Sequence, residues 1–261
     1  MSKRVCLIGL DEPEYREITE QLNIPTLAHE SVPRIVVSAG RLYVGSRSGA
    51  HMLPVSHVVF HGIFEHDFDL IAALALWGGP CIPNATAMMD CRLKLPCLVR
   101  ALRYSRFASP ARSYSGPGAT FYAEQEHVAK WGNWHCGENK TRFTGLRTAD
   151  EACIVEPFFV GESVRVVLIG DRAWQIRLSG VDWLKSIHDS AADFMEIDRD
   201  LLADTRAVAN GLGLEIAAND YLIESSGEKH LLELNHIPNV TRFPEIREAY
   251  RDYIVQRITA D

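Results

Sequence analysis

Two short runs near the C-terminus, Asn219-Asp220-Tyr221-Leu222-Ile223-Glu224 and Leu231-Leu232-Glu233-Leu234-Asn235, alternate apolar with polar residues on either side of Ser225-Ser226-Gly227-Glu228. A period of two with a glycine-bearing turn between reads as an antiparallel hairpin, and a hairpin ties its two strands into one sheet in a fixed register. Side chains along a strand alternate faces, so Glu233 and Asn235 share a face and Asp220 can be paired onto it. Two carboxylates and an amide oxygen are hard donors that suit Mg²⁺ in the company of phosphate oxygens and waters. A solvated hairpin face would carry the same letters.

The rest of the chain sets limits on that site. The 261 residues, 47% of them hydrophobic and 23% charged, are enough for two or three intimately packed subdomains around real cores. No apolar run approaches a membrane span, and the run after Lys3-Arg4 ends at Leu10, too short for a secretory leader. Six cysteines without a CxxC pair point to a reduced, cytoplasmic protein, and a net charge of −7 argues against nucleic acid as partner.

Along the N-terminal third, Arg4 to Leu10 reads as a strand and Pro13 opens a helix over Glu14 to Leu22. Arg34 to Gly45 reads as two strands about Ala39-Gly40, His57 to Ile63 as a buried strand, and Phe68 to Trp77 as a helix stopped by Gly78-Gly79-Pro80. This alternation predicts a small, mostly parallel sheet. His57, His61 and His66 are spaced like metal ligands, but no acid or thiol completes a set. Ala85 to Arg103 reads as helix with a new turn at Pro96, locally basic through Arg92, Lys94, Arg100, Arg103 and Arg106.

Between Pro110 and Gly180 the pattern becomes short alternating runs, the mark of an antiparallel sheet with little helix. Within it, Lys130 precedes a loop bounded by Gly132 and Gly137. Glycine lets backbone N–H groups approach phosphate oxygens while an ammonium neutralises them, although a plain hairpin tip also needs glycine. Cys136 in that loop has no adjacent base and reads as incidental.

The order of these features resembles the ATP-grasp superfamily. Lys130 with its glycine loop is followed by Glu156-Pro157-Phe158-Phe159-Val160-Gly161-Glu162, then Arg165, Arg177, Asp220, and Glu233-Leu234-Asn235 with Pro238 and Thr241. The final stretch is similar to the metal strand and substrate loop of glutathione synthetases and D-alanine ligases. Thr120-Phe121-Tyr122, VAKWGNWHCGENK and VEPFFVGESVRV are most similar to synapsins and related glutamate ligases. The likeness covers about residues 80 to 245.

The resemblance implies an α+β fold in which two lobes clasp ATP, preceded by a small α/β domain. Its expected boundaries are 1–84 for the N-terminal domain, 85–180 for the antiparallel subdomain and 181–261 for the C-terminal subdomain. It implies nucleotide contacts from Lys94, Lys130, Gly132 and Gly137, a hinge reading adenine at Glu156, Phe158 and Phe159, and ribose contact by Glu162. Arg165 and Arg177 would face the transferred phosphoryl group, and Asp220, Glu233 and Asn235 would hold Mg²⁺, with Mn²⁺ as a substitute. Gly180 to Glu196 would be a substrate flap, and His236 and Arg242 would meet a substrate carboxylate. The implied activity is a carboxylate–amine ligase working through an acyl phosphate on small-molecule or peptide substrates, and a homodimer is compatible with it. Lysines, arginines and Mg²⁺ ligands are what phosphoryl transfer asks of a protein. An ATP-binding module without turnover and a kinase are the alternatives.

Overall fold

A computed structural model describes residues 3–132, 139–238 and 242–260. The apolar run at the start forms β1 (Val5–Ile8), buried along its whole length, and leads into α1 (Glu12–Gln21). The Asp11 amide donates to the Glu14 carboxylate at 3.0 Å and Pro13 lies in the first turn, which together fix the helix start. After β2 (Thr26–His29), the strands β3 (Ile35–Ser38), β4 (Arg41–Gly45) and β5 (Met52–Val55) make an antiparallel meander. Ala39 and Gly40 both have positive φ at the two-residue turn between β3 and β4, the conformation that matches the twist of a hairpin. Then β6 (His57–Phe60), α2 (Phe68–Trp77) and β7 (Cys81–Ile82) complete a parallel sheet in the order β2-β1-β6-β7. Gly78 stops α2 in the left-handed conformation (φ 68°).

The basic helical stretch is two helices, α3 (Ala85–Cys91) and α4 (Lys94–Ala101). The break falls at Arg92-Leu93, before Pro96, which sits in the first turn of α4 where a missing N–H costs nothing. Arg92 turns inward to Asp67 (2.5 Å), Arg100 pairs with Asp90 and Arg106 with Asp200.

The antiparallel sheet expected between Pro110 and Gly180 is in fact divided. One four-stranded sheet, β10-β9-β11-β8, contains β8 (Ser113–Ser115), β9 (Thr120–Trp131), β10 (Lys140–Thr148) and β11 (Cys153–Pro157). The next strands, β12 (Gly161–Ile169), β13 (Arg172–Arg177) and β14 (Asp193–Met195), join β15 (Ile216–Glu224) and β16 (Lys229–Asn235) in a second sheet of order β14-β13-β12-β15-β16. The reason is pairing length: β12 runs beside β15 over nine residues, from Gly161 opposite Glu224 to Ile169 opposite Ile216. The chain therefore changes sheet at Phe158 to Val160, between β11 and β12.

Two helices fill out the C-terminal part. Asp198 caps α5 (Arg199–Leu212) through the amides of Asp200 and Leu201, and α6 (Pro244–Ala260) closes the chain. One apolar core sets Ile246, Ile254 and Ile258 of α6 between the parallel sheet (Val5, Leu7) and one face of the five-stranded sheet (Ile169, Ile216). The opposite face of that sheet packs Val166, Leu168 and Ala217 against α3 to α5. A third core lies beneath α2, and the four-stranded sheet has only a small one around Ala129, Cys153 and Val155.

Candidate functional site

The site is built on the central strands of the five-stranded sheet. Arg165, Asp220 and Glu233 occupy directly opposed positions on β12, β15 and β16, so the three side chains form one row across neighbouring strands. Asp220 is held in that row from behind. Tyr221 is fully buried, and its hydroxyl is bound to Asp204 (2.8 Å), Thr205 (2.9 Å) and Asn219 (2.9 Å), which turns its neighbour Asp220 to the other face. A bulge after Asp220 leaves Leu232 as the extra residue of β16.

Arg165 grips Asp220 with two parallel hydrogen bonds, Nε to Oδ1 at 2.6 Å and Nη2 to Oδ2 at 2.8 Å. Burial works against the Arg165 charge, but Asp220, with help from Glu233, more than offsets it and the pKa is raised. The Asn235 amide approaches Asp220 Oδ2 at 3.5 Å through its nitrogen, leaving its oxygen available.

Four ammonium groups surround this row. Lys94 begins α4, Lys130 ends β9, Lys140 begins β10 opposite Lys130, and Lys185 comes from the segment after β13. All four line one small cavity with Asp220, Glu233 and Trp183. Burial lowers the Lys140 pKa, and the charges of Lys130 and Lys94 lower it further against the pull of Glu233 and Asp220. Gathering like charges in a half-buried place is unfavourable unless an anion completes it. Lys140 and Lys185 were not among the expected contacts. The pairing of Lys140 with Lys130 across the glycine loop was the available signal for the first, while nothing local announces Lys185.

A larger cavity of about 550 Å³ continues from these lysines along the crossing between the two sheets, past Phe158, Phe159, Gly161, Trp183 and Leu222. Gly161 has no alternative residue there, because a Cβ would sit inside the Ile223 carbonyl. Phe159 lies flat on His230, ring centroids 3.8 Å apart and planes 10° apart, and Phe158 meets Trp183 edge-on at 6.0 Å. The cavity thus has aromatic walls at one end and cations at the other. Glu156 is buried with its carboxylate on Lys130 and on Arg112 (2.9 Å), and Arg112 also donates to the Leu231 carbonyl of β16, so one buried carboxylate ties the two sheets together.

The expected residues are accounted for as follows. Lys94, Lys130, Phe158, Phe159, Asp220 and Glu233 line these connected cavities, and Arg165, Glu156 and Asn235 are bound to members of the group. Glu162 and Arg177 are not brought into it: they pair with each other at 2.6 Å, largely exposed. Gly132 (φ 75°) sits at the loop base, where the Trp131 amide binds the Asn139 carbonyl, and Gly137, Cys136 and Thr241 lie outside the described residues. Pro238 is buried. Of the expected flap, Asp182, Trp183 and Lys185 line the large cavity, while Asp193 to Met195 forms β14. His236 is fully buried, and Arg242 donates to the Ile187 carbonyl. The N-terminal histidines do not cluster. His57 binds the Ser56 hydroxyl, His61 packs edge-on against Tyr250 with its pKa lowered to about 4 by burial, and His66 is exposed.

Asp220, Glu233 and the Asn235 oxygen fit a hard divalent ion that completes its shell from phosphate and water. Among the described residues, the group of three acid or imidazole ligands close enough to share an ion is elsewhere, Glu224, Glu228 and His230 at the β15–β16 turn.

No family model matches the chain, and no curated protein does. Solved structures match it along its whole length. D-alanyl-alanine synthetase A from Vibrio cholerae is similar with a TM-score of 0.68 at 14% identity, over 100% of this chain and 98% of that one. The ATP-grasp ligase PsnB, in complex with a minimal precursor, Mg and ADP, gives 0.64 at 14% over 98% and 97%. The macrocyclase MdnC of Microcystis aeruginosa, bound to precursor peptide MdnA, gives 0.65 at 12% over 97% and 99%.

Proposed function

From the premise that this chain has the ATP-grasp fold, we propose that it is an ATP- and Mg²⁺-dependent carboxylate–amine ligase. The observation that carries the reading is the convergence of Lys94, Lys130, Lys140 and Lys185 on the carboxylates of Asp220 and Glu233. A triphosphate would supply the negative charge that four ammonium groups lack, and the two carboxylates with Asn235 would hold Mg²⁺ beside it. Bound Mg²⁺ supplies charge neutralisation at the phosphates. Adenine would fit the apolar end, between Phe158, Phe159 and Leu222.

In the reaction, a substrate carboxylate oxygen attacks the γ-phosphorus, the bond to the β-phosphate oxygen breaks, and ADP leaves. An amine then attacks the acyl carbon, phosphate departs, and loss of the amine proton leaves the amide. Lys130 and Lys140 orient the β- and γ-phosphates, and Arg165 offers a guanidinium beside the transferred group while holding Asp220 in place. Trp183 and Lys185 close the cavity over the reacting end and exclude water. These are the tasks of positioning and charge stabilisation that phosphoryl transfer needs. The substrates would be small carboxylates and amines or peptides, in keeping with the precursor peptides bound to PsnB and MdnC.

A nucleotide-binding module without turnover is the second reading. It is favoured by Arg177, which pairs with Glu162 in solvent instead of facing the cleft. The deciding experiment measures ADP release with pooled amino acids, dipeptides and peptides, followed by mass spectrometry. Substrate-stimulated ADP with an amide product is the expected result. ATP binding without stimulated release from any pool would select the binding module.

A further inference from the structure

A cavity of about 710 Å³, larger than the nucleotide cavity and sharing no residue with it, opens at the opposite end of β12. It lies where β7, the end of α5, the β12–β13 turn and α6 meet. Its floor is apolar and buried, made by Val58, Ile82, Leu168 and Leu214. Its volume falls within the range of ordinary small-molecule sites.

The charges around this floor do not close on one another. Glu215 is half-buried and accepts the Asn84 amide at 3.3 Å, and among the described residues it makes no ion pair. Burial raises its pKa, against the backbone hydrogen bonds of Glu215 and Asn84 and the charge of Arg257. Arg257 closes no ion pair among the described residues, and Arg206 reaches only a backbone carbonyl, that of Asp171, at 3.4 Å. Two guanidinium groups and two carboxylates (Glu215, Asp171) therefore line one cavity, where their four charges cancel, with the buried His57 imidazole beside them.

That balance selects among ligands. A polyphosphate or other multiple anion meets Glu215 and Asp171, and a plain cation meets two arginines, so each is repelled by half of the lining. A molecule with one charge of each sign, set apart by a few atoms, pairs with both halves and desolvates neither alone. We propose that this cavity is a second binding site, for a small zwitterion of the α-amino acid or dipeptide class, with its ammonium on Glu215 and its carboxylate on Arg257 and Arg206. Leu168 and Gly170 of this site and Gly161 and Ser163 of the nucleotide cavity lie at the two ends of the same short stretch, so an occupant here touches the strand that carries Arg165.

The test uses the full chain without ATP, so it does not depend on turnover and its failure leaves the ligase reading where it stood. Each standard α-amino acid and alanyl-alanine is titrated by calorimetry or saturation-transfer NMR. At least one should bind saturably. Its affinity should fall tenfold or more in Glu215→Gln and in Arg257→Gln, and stay unchanged in Lys130→Ala. The N-acetyl and carboxamide forms of the same compound should each lose binding. Arg257 is exposed on α6, so that variant keeps its fold and decides the matter if Glu215→Gln does not. Absence of saturable binding across the panel, binding indifferent to both substitutions, or equal binding of the blocked forms would each overturn the proposal.

Discussion

β12 runs between two cavities of different electrical character, one with an excess of cations and one with balanced charges. At Gly161 and Ser163 it borders a cavity where four lysines press on two carboxylates, and at Leu168 and Gly170 it borders one where two arginines and two carboxylates stand apart. Like charges crowded into a half-buried place lower one another's affinity for protons, as at Lys140, and such a place is completed by an anion from outside. Balanced charges left unpaired ask for a ligand that carries both signs. On the two proposals made above, one strand would separate a site for phosphate from one that rejects it.

The largest expected effect lies at the lysine-rich end. Glu233→Gln should lower substrate-dependent ADP release by roughly two or more orders of magnitude while circular dichroism stays unchanged, since on the proposed reading it removes charge where Mg²⁺ and phosphate would meet. Activity near the unmodified level would detach this end from catalysis and leave the two ends functionally alike.

The arginines sharpen the contrast next. Arg165→Ala should reduce turnover by roughly 100-fold, the scale for loss of one donor at the reacting group, and should also loosen Asp220. Arg177→Ala, which removes an exposed pair with Glu162, should cost less than about tenfold if that pair persists when nucleotide binds. The reverse order would mean that Arg177 swings in and that the closed arrangement differs from the one seen here.

ATP affinity tests the phosphate side directly. Lys130→Ala should weaken it by about 1–3 kcal/mol, and Arg257→Gln at the other end should leave it alone. A pH series adds a sign. The Lys140 pKa lies below the ordinary lysine value, so its ammonium is present below that folded pKa and lost as pH rises through it. ATP affinity should therefore fall as pH rises, before an ordinary lysine titrates, and Lys140→Arg should flatten the decline.

The smallest effects concern the glycines at the two ends. Gly161→Ala drives a Cβ into the Ile223 carbonyl and should cost about 1–3 kcal/mol in thermal unfolding. Gly170→Ala meets only the Tyr253 ring, 2.8 Å away and able to turn, but forces a side chain to φ 55°, for about 1 kcal/mol. Equal losses would show that both ends tolerate crowding alike.

Much that positions the site was legible from periodicity. Alternation around Ser225 to Glu228 is enough to join the two strands as a hairpin, but the register of Tyr221 with Leu231 alone would set Asp220 opposite Leu232; the bulge at Leu232, which no periodicity marks, is what brings Glu233 opposite Asp220. The ends of α2 follow from Phe68, Gly78 and the apolar run between them. The meeting of Lys94 with Lys130 was legible only through the resemblance, since a lysine that starts a helix and one that ends a strand share no local pattern. Lys185, Arg112 and the exposed Arg177–Glu162 pair were not legible at all.

What the sequence determined by itself is therefore local: which runs are strands and helices, where they turn, and which faces carry acid or base. The tertiary structure alone decided that β12 leaves the first sheet to lie along β15, that Glu156 spans the two sheets through Arg112, and that charges from α5 and α6 face a cavity beside β7. These depend on pairing and packing between segments up to a hundred or more residues apart, whose energies are sums over many weak contacts. No short stretch of letters records such a sum.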